Sequence, residues 1–146
     1  MLYIIFICTA VPISLMLSLL EKKSRTTLFY MLLGLIICLL AAQINFILRD
    51  SFYGIWDPNV FAVTTTLTPI VEELLKAIPI IYFGFVISDK RADLLTVSMA
   101  LGIGFAILEN CYILVANLDQ TSIIWAFTRG FSSALLHGIC TSLVGF

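Results

Sequence analysis

Thr68-Pro69-Ile70-Val71-Glu72-Glu73-Leu74-Leu75-Lys76-Ala77-Ile78-Pro79-Ile80 sets three charged side chains inside an apolar run long enough to cross a bilayer. An ionisable group near the bilayer centre costs about 2.5–3.5 kcal/mol on translocon scales. Two adjacent glutamates and a lysine at that depth therefore need partners, water or a metal ion. The remainder of the chain reads as helical scaffold that holds this cluster against Glu109 and His137.

The composition supports a membrane setting. Of 146 residues, 61% are hydrophobic and only 12% charged, where a soluble domain is nearer half apolar and a quarter charged. Membrane lipid is thus the first expected partner. No basic cluster reaches the size of a nucleic-acid patch, so no nucleic-acid partner is expected. Cys8, Cys38, Cys111 and Cys140 each sit in an apolar run and form no CxxC pair, which reads as buried thiols packing as small hydrophobes.

The expected fold is all-α: one polytopic transmembrane helix bundle over 1–146, with five spans at about 1–20, 28–48, 67–87, 94–116 and 121–146. Residues 49–59 read as an outside loop whose Tyr53 and Trp56 suit the membrane interface. Within 60–87 the polar Thr64-Thr65-Thr66 and Pro69 place the start of the embedded part near Leu67. Pro79 is expected to kink that helix. Lys22, Lys23, Arg25, Lys90 and Arg91 fall in alternate loops, which the positive-inside rule assigns to the cytoplasm, leaving the N-terminus outside. Arg129 is either buried in the fifth span or snorkels to the outer interface. The chain ends inside an apolar run, so further helix is expected beyond it.

Three stretches carry candidate chemistry. On a helix, residues four apart lie about 40° apart and residues three apart about 60° the other way. Lys76 can therefore pair with either Glu72 or Glu73, and Glu before Lys at i,i+4 is the better order. Around Leu101–Asn110, the residues Ser98, Gly102, Ala106 and Asn110 recur every fourth position, a stripe that lets a second helix approach. Glu109 borders that stripe and is expected to face protein. His137 is the single histidine, beside a second stripe of Gly130, Ala134 and Gly138, with Ser133 and Thr141 one turn away on either side to orient its ring. Helix counting puts Glu72, Glu73, Glu109 and His137 at similar depth in the outer half of the membrane, on one water-accessible cavity.

Two chemistries use such a set. A glutamate can act as general base on water while histidine and the Asn110 amide polarise a carbonyl or its oxyanion. Alternatively Glu73, Glu109 and His137 ligate Zn²⁺, which acidifies its bound water. Either hydrolyses a peptide bond in or beside the membrane. No HExxH and no GxSxG occurs. Intramembrane Glu, Lys and His also mark proton relays, so a proton or ion carrier, or an immunity-type scaffold, is the competing class.

At these residues the chain resembles the PrsW family of intramembrane proteases. The resemblance rests on Glu72-Glu73-Leu74-Leu75-Lys76 (EExxK), Phe105 with Glu109-Asn110 (FxxxEN) and His137 with Thr141 (HxxxT), in that order over residues 60–146. It implies that Glu72, Glu73, Glu109 and His137 line an active site in a helical bundle of a bacterial cell membrane. It also implies a membrane-bound protein substrate, for example a regulator such as an anti-sigma factor. The wider group includes CAAX prenyl proteases and bacteriocin-immunity-type proteins, and its members are classed as metallopeptidases or argued to use a glutamate base. The CAAX branch carries EExxxR and a second histidine. Lys76 at shorter spacing, and Glu109 in that histidine's place, set this chain apart from it.

Overall fold

The structure is a computed structural model that describes residues 2–19, 24–53, 60–117 and 121–146. The described residues form five helices: α1 (Leu2–Leu19), α2 (Arg25–Tyr53), α3 (Val60–Val86), α4 (Arg91–Ala116) and α5 (Ile123–Val144). The described residues hold no strand. Two stretches, Arg25–Ser51 in α2 and Arg91–Ala116 in α4, are long and apolar enough to cross a membrane.

Helix ends follow local chemistry. Ser122 caps α5 by accepting the Trp125 backbone N–H at 3.1 Å. Asp93 in the first turn of α4 suits the positive end of the helix dipole, and it accepts from Ser88 Oγ at 3.0 Å. One expectation is corrected. Residues 49–53 are not loop, because α2 runs on to Tyr53. Nothing from Arg49 to Tyr53 breaks a helix, and the first strong breakers are Gly54 and Pro58. α3 is helical from Val60 through its threonines and Pro69. The interfacial roles of Tyr53 and Trp56, and the loop lysines Lys22 and Lys23, lie outside the described side chains.

α4 is the central helix. Every residue from Ala100 to Ile107 is buried, the signature of a helix enclosed on all sides. Glycines make this possible on two opposite faces. Toward α2, a Cβ on Gly104 would overlap the Met31 carbonyl, and one on Gly34 would stand 2.8 Å from Phe105 N. Toward α5, a Cβ on Gly102 would stand 2.7 Å from the His137 carbonyl carbon. The second small-residue stripe divides between neighbours: Gly130 meets Val11 and Cys8 of α1, while Gly138 meets Ile103 and Met99 of α4. Cys8 and Cys38 are buried, and all four cysteines are free thiols.

Large apolar side chains cover the outside. Phe29, Leu32, Ile36 and Leu40 are exposed along α2, as are Leu74, Ile78, Ile81 and Phe85 along α3 and Ile124, Phe127, Phe131 and Leu136 along α5. Apolar surface on this scale is not left to water. It matches a bundle solvated by lipid, whose backbone groups are satisfied inside each helix.

The close approach of α2 and α4 gives a first prediction. Gly104→Ala meets backbone that cannot yield, so it is expected to destabilise by at least the roughly 1–3 kcal/mol of ordinary overpacking. Gly84→Ala meets only the end of the Leu94 side chain, at 3.3 Å, and is expected to be neutral or stabilising because alanine favours the helix. Thermal unfolding in detergent compares the two. Equal stability of both variants would remove Gly104 as the contact point.

Candidate active site

α3, α4 and α5 each contribute to one chain of polar contacts. Lys76 of α3 is fully buried. Its Nζ lies 2.7 Å from Glu73 Oε1 and 2.8 Å from His137 Nδ1 on α5. The same ammonium stands 4.0 Å from the centroid of the Phe105 ring on α4, a cation–π contact in a desolvated place. Phe105 also packs on the imidazole, with ring centroids 5.0 Å apart. His137 Nε2 lies 3.0 Å from Glu109 Oε2 on α4. Ser133 donates to that same oxygen at 3.1 Å, and Arg129 reaches Glu109 Oε1 at 3.4 Å.

With Lys76 as an ammonium ion, one tautomer of the imidazole satisfies both contacts. A lysine ammonium has donors only. Donation from Lys76 requires Nδ1 to be bare, so the ring proton sits on Nε2 and is donated to the Glu109 carboxylate. The order is then Glu73, Lys76, His137, Glu109 and Arg129, in which acidic and basic groups alternate around a neutral ring.

The structure brings Glu73, His137 and Glu109 together, as the sequence suggests, and resolves the choice open to Lys76. It pairs with Glu73 at i+3 and not with Glu72 at i+4. Glu72 has no hydrogen-bond partner among the described residues. It lines a cavity of about 420 Å³ between α2, α3 and α4, together with Glu109, Phe105, Thr68 and Asn45. Glu72 and Glu109 face this cavity; Glu73 and His137 do not line it, and His137 meets it through Glu109. Asn110 is fully buried one residue past Glu109, off the cavity wall, and neither atom of its amide is hydrogen-bonded. Ser133 and Thr141 do not orient the ring. Ser133 serves Glu109, and the buried Thr141 hydroxyl, near Gly102, has no partner.

Arg129 and Ser133 hold Glu109, a role that sequence reasoning did not give them. Their signal was present: Arg129, Ser133 and His137 are spaced by four, one polar stripe along a helix.

Glu73, Glu109 and His137 carry donor types that Zn²⁺ accepts, but their arrangement here does not fit a shared metal ion. Nδ1 faces an ammonium, Nε2 is committed to Glu109, and Glu73 Oε1 is 3.9 Å from Nδ1 with Lys76 bridging the two. Among the described residues no three His, Cys, Asp or Glu side chains are grouped to hold a metal.

The model of the PrsW family intramembrane metalloprotease matches residues 22–146, which include every residue of this site. No curated protein and no solved structure matches the chain.

Proposed function

Because the chain belongs to the PrsW family of intramembrane metalloproteases, we propose that it hydrolyses a peptide bond of a membrane-bound protein substrate at the cavity faced by Glu72 and Glu109. The observation that carries this reading is the pairing of two differently held carboxylates on one cavity wall. Glu72 is free to take a proton, and Glu109 is fixed by Ser133, Arg129 and the Nε2–H of His137.

Glu72 removes a proton from water as the oxygen bonds to the scissile carbonyl carbon. The resulting tetrahedral centre collapses, the C–N bond breaks, and the leaving amine takes up a proton. That proton is the one Glu72 took from water, while Glu109, held by the His137 Nε2–H, stays a fixed carboxylate on the same cavity. The Lys76 ammonium on the far side of the ring keeps the imidazole in the donating tautomer. None of these steps passes through a metal. The experiment is cleavage of a membrane-anchored reporter by the purified protein in liposomes, with and without chelator. Loss of cleavage in His137→Ala, with activity kept in chelator, is the expected result. Cleavage that vanishes in chelator and returns with Zn²⁺ would replace the glutamate mechanism with a metal one. Unchanged cleavage in His137→Ala would overturn the site.

The five helices are proposed as five spans in a cell membrane with the N-terminus outside, which puts the cavity in the outer half of the bilayer. The support is the basic residues Arg25, Lys90 and Arg91, all at one end of the bundle. In a cysteine-free background, cysteines at Ser24 and Asp89 are expected to resist a membrane-impermeant thiol reagent applied to intact cells. Labelling of either from outside would invert the orientation.

A further inference from the structure

We infer that Lys76 is the resident cation of this site: its ammonium stands where Glu73 and His137 would otherwise share a metal ion, so these groups form a metal site only when Lys76 is removed. The inference concerns the site of the protease reading but needs no substrate, so each can fail alone.

Three observations carry it. The first is position. Nζ is within hydrogen-bond distance of both Glu73 Oε1 and His137 Nδ1, so it fills the gap that a bridging cation would occupy. The second is enclosure. Lys76 is fully buried and its ammonium is stacked on Phe105, so it is not a surface lysine that swings aside freely. The third is charge. A divalent ion on Nδ1 would stand within a few ångströms of a fixed positive charge, and like charges at that separation repel strongly away from water.

The same geometry makes Lys76 a positioning residue. By holding Nδ1 bare it keeps the proton on Nε2, where Glu109 accepts it. A metal on Nδ1 would impose the same tautomer. The lysine thus supplies, through hydrogen bonds, the orientation that a metal would supply through coordination.

The test uses the full chain in detergent with ¹⁵N-histidine labelling, which reports His137 alone because it is the single histidine. The expected spectrum has two widely separated ring nitrogens, Nδ1 unprotonated and Nε2 protonated, and Zn²⁺ leaves it unchanged. In Lys76→Ala, Zn²⁺ is expected to shift the ring nitrogens and to bind at one ion per chain. Adding His137→Ala to that variant should abolish the binding, which separates it from ions held by cysteine. Stoichiometric Zn²⁺ binding that moves the His137 nitrogens while Lys76 is present would overturn the inference. So would a folded Lys76→Ala chain whose His137 nitrogens ignore Zn²⁺. If that variant does not fold, the spectrum of the unmutated chain with and without Zn²⁺ still decides: a protonated Nδ1 or a Zn²⁺-induced shift refutes the assignment.

Discussion

Glu72→Gln is expected to lower cleavage by about 10²–10⁴-fold, the usual contribution of a positioned general base, while leaving the bundle as stable as before. The substitution keeps the shape of the side chain and removes only its capacity to take a proton. Because Glu72 has no hydrogen-bond partner among the described residues and faces the cavity between α2, α3 and α4, the substitution breaks no hydrogen bond there. Glu73→Gln is the necessary comparison. It removes the charge that Lys76 is paired with at 2.7 Å, so any loss of cleavage there should come with a loss of stability. Turnover in liposomes, measured beside thermal unfolding of each variant, separates the two glutamates. If Glu73→Gln were inactive yet as stable as the parent, and Glu72→Gln still turned over, the base would be Glu73 and the cavity wall would have been misread.

Adjacent glutamates show what a sequence of this kind carries and what it withholds. Helical spacing establishes that Lys76 reaches both. It cannot establish which one the neighbouring helices leave free, because that depends on how α3 is rotated against α4 and α5. Phe105 and His137 settle it by drawing the lysine toward Glu73. The apolar runs were legible because the bilayer fixes their length. The end of α2 is not, since the polar stretch from Arg49 reads as loop although nothing before Gly54 breaks a helix. Gly34 and Gly104 went unassigned for a related reason. The four-residue stripe through Gly102 named one face of α4, and a helix buried on every side has a second such face, visible only once α2 is in place. Arg129 has its partner in Glu109, a pairing that needs α4 and α5 side by side and that spacing along α5 alone does not give.

Lys76→Met is expected to cost up to about 3–5 kcal/mol of stability, the usual penalty for removing one partner of a buried ion pair, lessened by the one-third exposure of Glu73. Methionine replaces the volume of the lysine stem but not the ammonium. It leaves Glu73 Oε1 and His137 Nδ1 without the donor that now joins them. The penalty comes from the abandoned carboxylate more than from the lost attraction, and this can be tested directly. Glu73→Leu combined with Lys76→Met removes both charges, and replacing both members of a buried pair by apolar groups is often close to neutral. The double variant should therefore be more stable than the single one. It should still fall below the parent by about 1–3 kcal/mol, because His137 Nδ1 remains unsatisfied. Lys76→Arg is not expected to rescue, since a planar guanidinium does not fit a fully buried place shaped around an ammonium. The measurement is denaturant unfolding in mixed micelles with chelator present, because Zn²⁺ could re-pair the exposed ligands of the single variant. A Lys76→Met chain as stable as the parent would mean that the ammonium sits at the bundle surface and that the Glu73–Lys76–His137 chain does not form in the membrane.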